Sequence, residues 1–389
     1  MVQTPIYLDN HATTRCDPRV VEAMLPYFSD TFGNASSISH KFGCDARDAV
    51  DHSREQIAGL MNADPRNIVF TSGATEASNL AIKGIVQPLL RSSSSPTVHI
   101  ITSAAEHRAT LDPIKKLQRA GAVVTILSVD EFGQVSPQQV AEAIRAETSL
   151  VSIMLANNEI GTLNPIDEIA AVCRERGVPL HCDAVQAIGQ IPVDIQNLGA
   201  DLVSVSAHKL YGPKGVGALI VRRGNRRSRP EALLDGGGHE NGLRSGTLPV
   251  PLIVGFAHAC RLAQELRFDD TARIERLRDT LWSQISSRLS GLHLNGHPNN
   301  RLPGNLNISF DGVDGDALMN SLTDIAVSSG SACTSAAPEP SHVLRAIGRS
   351  DQLTRASLRF GIGRFNTREE VDFACDYVVS AVNRLRNSS

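Results

Sequence analysis

Short β-rich runs alternate with amphipathic helical stretches over the first two-thirds of the chain, and this alternation constrains the fold more than any other feature. The β candidates are Ile68–Thr71, Val98–Thr102, Val123–Leu127, Leu150–Leu155, Leu180–Asp183, Leu202–Ser206 and Ala218–Val221. Helical patterns lie between most of them, at Glu76–Ile85, Asp112–Arg119 and Ile166–Arg176. Such alternation is typical of a mainly parallel sheet with helices on both faces. The sequence therefore predicts an α/β fold.

The pattern changes after Pro249-Val250-Pro251. Helical stretches follow at Leu252–Arg267 and Thr271–Leu289, with β runs at Asn305–Phe310, Ile325–Ser328 and Ser357–Phe360 and a last amphipathic helix at Thr367–Leu385. We interpret this part as a smaller α+β domain joined by the N-terminal segment. The predicted division is a large domain over residues 15–255 and a small domain made of residues 1–14 and 256–389.

Composition excludes several classes of protein. The 389 residues suffice for two domains, and a net charge of −3 provides neither the basic excess of a nucleic-acid binder nor an acidic tail. The seven cysteines are odd in number and form no Cys-x-x-Cys pair, which argues against a disulfide framework or a zinc knuckle.

No basic-then-apolar leader and no apolar run of ~20 residues occurs, so we expect a soluble cytoplasmic protein. The arginine-rich stretch Arg222–Pro230 is interpreted as a solvated loop, with docking of an anionic partner as the alternative.

Two predicted strand ends carry residues that suit an aldehyde cofactor. Ser206-Ala207-His208-Lys209 follows one β run, and ligands bind at such ends in open α/β sheets. A lysine there can form a Schiff base, while Ser206 and His208 can bind a phosphate. Asp183 ends the preceding β run, where a carboxylate can hold the proton on the ring nitrogen of pyridoxal phosphate. Each residue alone could be an ordinary strand-end side chain, but the pair favours the cofactor.

Three further motifs fit the same site. Thr71-Ser72-Gly73-Ala74-Thr75-Glu76 turns from a strand into a helix and could bind the phosphate, although helix capping explains it equally well. His107 follows another β run and could stack on the ring and move protons; with twelve histidines in the chain, most must be structural. The stretch Asn157–Gly161 supplies amides for the ring hydroxyl or for a substrate carboxylate.

Cys333 lies within a stretch of small residues, from Val327 to Pro338, after a β run. This composition predicts a mobile loop, and an accessible thiol on a mobile loop suits a nucleophile that visits both a substrate and an acceptor. The alternative is an incidental small residue in a turn. We assign the other six cysteines no chemical role.

Together these residues resemble the cysteine desulfurases of the NifS/IscS family, in the fold-type I group of pyridoxal-phosphate enzymes. The matching segments run from Tyr7–Thr14 to Arg359–Arg364, nearly the whole chain, and the most specific are Ser206–Gly215, Gly236–Glu240, Arg244–Thr247 and Ser328–Ser335. The resemblance implies a homodimeric transferase that converts L-cysteine to L-alanine. Its sulfur would pass to Cys333 as a persulfide, for iron–sulfur cluster assembly or other thiolation acceptors.

The resemblance also implies a role for each matching residue. Lys209 would hold the cofactor covalently and then remove the Cα proton, Asp183 would pair with the pyridine nitrogen, and His107 would stack on the ring and assist proton transfer. Gln186 and Asn158 would contact the ring's oxygen side, and Asn158 and Arg359 would bind the substrate. The phosphate would be bound by Ala74, Thr75, Ser206 and His208. Thr247 would reach the phosphate of the neighbouring subunit. Through its persulfide, Cys333 is also a candidate ligand of a metal cluster during transfer.

Two departures from the family pattern stand out. Ala35 replaces a common proline, and the chain ends at Ser389 without the C-terminal extension by which IscS-type members engage their scaffold, so delivery to such a scaffold is a hypothesis.

Two alternative functions remain open. An aminotransferase or selenocysteine lyase would share Lys209 and Asp183 but would not need Cys333. A non-catalytic sulfur carrier would leave the cofactor residues without a purpose.

Overall fold

The computed structural model describes residues 2–92, 97–223, 226–329 and 339–387, with Arg226 described by its backbone alone. The strands are β1 (Ile6–Tyr7), β2 (Ile68–Thr71), β3 (His99–Ser103), β4 (Val123–Leu127), β5 (Thr148–Ser152), β6 (Leu180–Asp183), β7 (Leu202–Ser206), β8 (Gly217–Val221), β9 (Leu292–Asn295), β10 (Asn305–Phe310), β11 (Ile325–Ala326), β12 (Ser328–Ser329) and β13 (Ser357–Gly361).

The helices connect and cover these strands. They are α1 (Pro18–Met24), α2 (Pro26–Ser29), α3 (Lys41–Met61), α4 (Ala74–Arg91), α5 (Arg108–Arg119), α6 (Pro137–Ala143), α7 (Ile166–Glu175), α8 (Ile195–Leu198), α9 (Val250–Ser286), α10 (Gly315–Ser321), α11 (His342–Ala346), α12 (Asp351–Arg355) and α13 (Arg368–Asn387). None of the helices in the described ranges combines the length and the apolar character needed to span a bilayer.

A seven-stranded sheet in the order β2-β8-β7-β6-β5-β3-β4 forms the centre of the larger part. Its strands pair in parallel except at β8, which is antiparallel to both neighbours. Neighbouring residues of one strand enter different cores: Ile101 belongs to the core that includes residues of α3 and α9, and Ile100 to the core that includes residues of α4 and α5. Helices therefore cover both faces, and the predicted mainly parallel α/β fold is confirmed.

The second sheet is antiparallel, in the order β12-β13-β10-β9. Residues of α13 and of the C-terminal half of α9 cover it, among them Val371, Val378, Leu281 and Ile285. The N-terminal segment joins this part, because β1 pairs in parallel with β11 and Ile6 is buried in the same core. Since α9 also contributes Phe256 to the larger core, it connects the two parts. The domain boundaries at residues 15 and 255 stay a prediction.

Some predicted elements were wrong in extent. The predicted helices 252–267 and 271–289 are one helix, α9, because neither Gly nor Pro occurs between Arg267 and Thr271 to end it. The predicted β run 325–328 is divided, since Ile325–Ala326 pairs with β1 whereas Ser328–Ser329 pairs with β13. Helix α5 begins at Arg108, four residues before the predicted start at Asp112, and this difference matters for the site.

Candidate active site

A cavity of about 640 Å³ opens at the carboxyl ends of the parallel strands. The structure brings most of the sequence-predicted site residues together in its lining: Ala74, Thr75, His107, Asn158, Asp183, Gln186, Ser206, His208, Lys209 and Arg359. Crevices beyond the carboxyl ends of parallel strands are where ligands bind in open α/β sheets. Cys333 lies outside the described residues. Thr247 is described and exposed, and it does not line this cavity.

One end of the cavity is suited to an anion. The 18-residue helix α4 starts there, and Gly73 precedes it with φ 153° and ψ 179°, a backbone conformation that is nearly exclusive to glycine. No side chain caps this helix start, and Gly73, Ala74 and Thr75 line the cavity, so the free N–H groups of the first turn are available to an anion there. Helix capping by Thr75, the alternative from the sequence, is therefore not what the structure shows. The Lys214 side chain adds a positive charge to the lining.

Ser206 ends β7 and His208 follows it, and both line the same cavity as this helix start. His208 forms a hydrogen bond through Nδ1 with the Thr13 hydroxyl at 3.1 Å. Burial, together with the nearby charges of Lys209 and Lys214, lowers the pKa of His208 to about 4. The imidazole is therefore neutral at pH 7, and a neutral ring N–H can donate to a phosphate oxygen.

Lys209 enters the middle of the cavity from the turn that follows β7. Its Nζ donates hydrogen bonds to the backbone carbonyl of Ala12 at 2.7 Å and to that of His11. Burial and the nearby Arg359 charge lower the pKa of this amine to about 7. A substantial share of the amine is therefore neutral at physiological pH, the form that attacks an aldehyde.

Asp183 ends β6, lines the cavity and is only 6% exposed. Its Oδ1 accepts the backbone N–H of Val185 at 3.0 Å. Burial raises the pKa of this carboxyl, although His107 and Lys209 act in the opposite direction. A buried carboxylate of this kind needs a cationic partner to stay ionised, and a protonated ring nitrogen would provide one.

His107 is both a cavity residue and the N-cap of α5. Its Nδ1 accepts the backbone N–H of Ala109 at 3.0 Å, and burial lowers its pKa. The next residue back, Glu106, is fully buried, with its Oε1 accepting the Met154 N–H at 2.9 Å. Burial raises the pKa of Glu106 to about 8, so this carboxyl is largely protonated at pH 7.

His11 is a cavity residue to which the sequence reasoning gave no role. Its Nδ1 lies 3.0 Å from Gln186 Oε1, and the Gln186 amide donates in turn to the His11 carbonyl at 3.0 Å. Burial lowers the pKa of His11 to about 3, although the Gln186 side chain and the Gly304 backbone act in the opposite direction. The only signal in the sequence was its place within the matching segment Tyr7–Thr14.

Arg359 reaches the cavity from β13 in the second sheet. Its Nη1 donates to the Asn158 carbonyl at 2.9 Å, and its Nη2 lies 2.8 Å from Asp9 Oδ1. The Arg359 residue is 8% exposed, so this pair of charges is largely removed from water. Asp9 is a second residue to which the sequence reasoning gave no role.

Sequence comparison agrees with this fold and cavity. The family model described as aminotransferase class V matches residues 6–373. A cysteine desulfurase IscS of Anaeromyxobacter dehalogenans (strain 2CP-C) is 51% identical over 388 residues, covering 100% of this chain and 95% of the relative. The chain belongs to the class-V aminotransferase family, and its full-length identity to curated cysteine desulfurases places it among them. These families are pyridoxal-phosphate enzymes in general.

Solved structures show the same relationship. A NifS-like protein aligns with a TM-score of 0.90 at 35% identity, covering 98% of this chain and 100% of that one. A structure described as SspA in complex with cysteine aligns with a TM-score of 0.80 at 36% identity, covering 93% of this chain and 100% of that one.

Proposed function

We propose that this chain is a pyridoxal-phosphate-dependent cysteine desulfurase that converts L-cysteine to L-alanine and accepts the sulfur on Cys333 as a persulfide. The observation that carries the proposal is the position of Lys209 and Asp183 in one cavity that is also lined by the uncapped start of α4. A lysine, a buried carboxylate and an anion site are what the cofactor's aldehyde, ring nitrogen and phosphate require.

The residues present fit the cofactor on independent grounds. The Asp183 carboxyl lines the cavity, is 6% exposed and accepts, among the described residues, only a backbone N–H, that of Val185, so a protonated ring nitrogen in the cavity would compensate its charge. Lys209 would hold the cofactor covalently, Asp183 would face its ring nitrogen and His107 would stack on its ring. Ala74, Thr75, Ser206 and His208 would bind its phosphate. Gln186, itself fixed by His11, and Asn158 would contact the ring's oxygen side.

The chain's own groups would then carry out the steps. Arg359 binds the substrate carboxylate, with Asn158 beside it. Lys209, as a neutral amine, would accept the substrate's Cα proton, and the bound cofactor would supply the electron-withdrawing ring that this proton loss needs. The Cys333 thiolate attacks the substrate sulfur and forms an S–S bond as the substrate's C–S bond breaks, and His107 assists the proton transfers. The balance is L-cysteine plus a thiol giving L-alanine plus a persulfide.

Described residues on either side of Cys333 support its assignment. Ser328, in β12, donates to Asp9 at 2.9 Å beside the cavity, and Ser341 donates to Glu159 in the turn that carries Asn158. The four Cα-to-Cα steps from Ser329 to Cys333 span at most roughly 14 Å. None of the six described cysteines lines the cavity, and burial raises the pKa of five of them: Cys16, Cys173, Cys182, Cys260 and Cys375.

Borohydride reduction tests the cofactor assignment. Reduction of the holoenzyme should fix the cofactor on a single peptide containing Lys209, detected by mass spectrometry. Lys209→Ala should yield protein that carries no covalent label, whereas Lys214→Ala, a second lysine of the same cavity, should still be labelled at Lys209. Labelling of another lysine in wild type would overturn the assignment.

A homodimer with shared sites is the second part of the proposal. Thr247 is exposed and lies outside this chain's own cavity, in agreement with a role at the neighbouring subunit's phosphate site. Co-expressed Lys209→Ala and Thr247→Arg chains should form mixed dimers that retain one intact site. Such dimers should therefore be active although each homodimer is impaired; inactive mixed dimers would contradict the shared site.

The sulfur acceptor is also proposed, as an iron–sulfur scaffold or another thiolation acceptor. Cys333 would be the group that presents sulfur, and would contact the metal cluster only as a passing ligand. In the described parts of the chain, no cluster of three or more His, Cys, Asp or Glu side chains is placed to hold a metal ion. A pull-down with an IscU-like scaffold that shows neither a complex nor sulfur transfer would remove this acceptor.

A further inference from the structure

Arg359 is already engaged with a carboxylate that belongs to the chain itself. Its Nη2 donates to Asp9 Oδ1 and to the Ser328 hydroxyl, each at 2.8 Å, while Nη1 donates to the Asn158 carbonyl at 2.9 Å. The Nε has no partner among the described residues. Both hydrogens of Nη2 are therefore in use.

An incoming carboxylate cannot form a two-bond contact with Arg359 without displacing Asp9 or Ser328 from Nη2. A guanidinium offers a carboxylate two forks, one made by Nε and Nη2 and the other by Nη1 and Nη2. Both forks include Nη2, whose hydrogens point at Asp9 and Ser328. Binding therefore requires Asp9 or Ser328 to give up a hydrogen bond.

We propose that Asp9 is a placeholder for the substrate carboxylate: it occupies Arg359 in the free enzyme, and L-cysteine binds by carboxylate exchange. Asp9 is thus a positioning residue that sets substrate affinity. The inference rests on the proposed function, because it takes Arg359 as the substrate's carboxylate site.

Asp9 is held firmly where this exchange needs it. The Ser328 hydroxyl donates to Asp9 Oδ1 at 2.9 Å, and the backbone of Asp9 forms a bridge with that of Gly361. A Cβ added to Gly361 would lie 2.7 Å from the backbone nitrogen of Asn10, the residue after Asp9. The two segments therefore pack too closely for a larger residue at position 361. The Asp9 carboxylate also compensates the largely buried Arg359 charge until the substrate arrives.

The test measures binding of L-alanine, the product that retains the carboxylate, to the holoenzyme by the change in cofactor absorbance. Asp9→Asn keeps an acceptor for Arg359 but removes the competing charge, so alanine should bind roughly three- to tenfold more tightly. The KM for L-cysteine should fall by a similar factor, with kcat changed less. Asp9→Glu restores the charge and should return affinity toward wild type.

Two further variants serve as controls. Asp270→Asn removes a carboxylate of similar exposure that lies 2.7 Å from Arg364, and it should leave alanine affinity unchanged. Ser328→Ala frees the second Nη2 hydrogen without altering charge, and it should tighten alanine binding by a smaller factor than Asp9→Asn. Thermal unfolding of each variant establishes whether it is folded. If Asp9→Asn does not fold, the comparison of Ser328→Ala with wild type tests the proposal instead.

Arg359→Gln separates the placeholder from the carboxylate site itself. It should weaken alanine binding and abolish the effect of Asp9→Asn in the double variant. If Arg359→Gln leaves binding unchanged, the carboxylate site in the proposed function is wrong and the placeholder is wrong with it. If Arg359→Gln weakens binding but both Asp9→Asn and Ser328→Ala leave it unchanged or weaker, the placeholder alone is overturned.

Discussion

The imidazole of His107 accepts a hydrogen bond through Nδ1 from the backbone N–H of Ala109, 3.0 Å away. Because Nδ1 is the acceptor, the neutral ring carries its hydrogen on Nε2. The same contact caps α5, so one side chain has both a structural and a proposed catalytic role. These two roles can be separated by mutation.

His107→Asn should keep the cap and lose the catalysis. An asparagine side chain is among the best N-caps, whereas His107→Ala would leave the α5 start uncapped at a cost of about 1 kcal/mol in unfolding free energy. We expect both variants to lose on the order of 10²-fold or more in turnover. Only the alanine variant should melt at a clearly lower temperature. Full activity in His107→Asn would contradict the assigned proton-transfer role.

Asp183→Asn should stabilise the cofactor-free protein while impairing the enzyme. Burial raises the Asp183 pKa above its usual 3.8, so the carboxyl ionises more easily in the unfolded chain and its charge costs stability at neutral pH. Asparagine removes this cost and can still accept the Val185 N–H. We expect the apoprotein to melt about 2 to 6 °C higher.

The same variant should lose roughly 10²- to 10³-fold in turnover, since the ring nitrogen would lose its ionic partner. Calorimetry of the apoprotein and alanine release by the holoenzyme measure the two effects. An apoprotein destabilised by Asp183→Asn would show that the carboxylate has a compensating partner within the chain.

Capture of pyridoxal phosphate by the apoprotein should depend on pH with a midpoint near 7. Only the neutral Lys209 amine attacks the aldehyde, and its pKa is lowered to about 7. The capture rate should therefore rise as pH increases through 7 and then level off. Stopped-flow absorbance follows the reaction directly.

Glu106→Gln is the matched control for this profile, because Glu106, the fully buried neighbour of His107, has a pKa of about 8, in the same range. It should leave the midpoint unchanged. A rate that keeps climbing beyond pH 9 would mean that Lys209 titrates like an exposed lysine.

The sequence correctly predicted which residues meet in the cavity where those residues lie at the ends of strands. Asp183 and Ser206 end strands of one sheet, and Lys209 follows directly, so the topology alone brings them to one edge. The sequence could not predict Asp9, because its contact with Arg359 joins residues 350 positions apart. The His11 contact with Gln186 is separated by 175 positions and was missed for the same reason. Local patterns do not encode such pairings.

Helix starts were predicted less well than strands. Hydrophobic periodicity placed the start of α5 at Asp112, but the helix begins at Arg108 because the His107 ring caps it. Likewise α4 begins at Ala74 rather than Glu76, so its uncapped first turn lies at the cavity. Caps and helix dipoles depend on backbone geometry at single residues, which periodicity does not report.

The most direct test of Cys333 as the sulfur carrier measures alanine release and persulfide formation from L-cysteine. Four proteins are compared side by side: wild type, Cys333→Ser, Cys16→Ser and Cys44→Ser. Cys16 and Cys44 are the partly accessible thiols among the described cysteines, so they are the matched controls. We predict that only Cys333→Ser loses turnover, that it keeps the cofactor's colour, and that mass spectrometry finds the persulfide on Cys333 in the other three proteins. Turnover by Cys333→Ser equal to wild type, or a persulfide on another cysteine, would contradict the account.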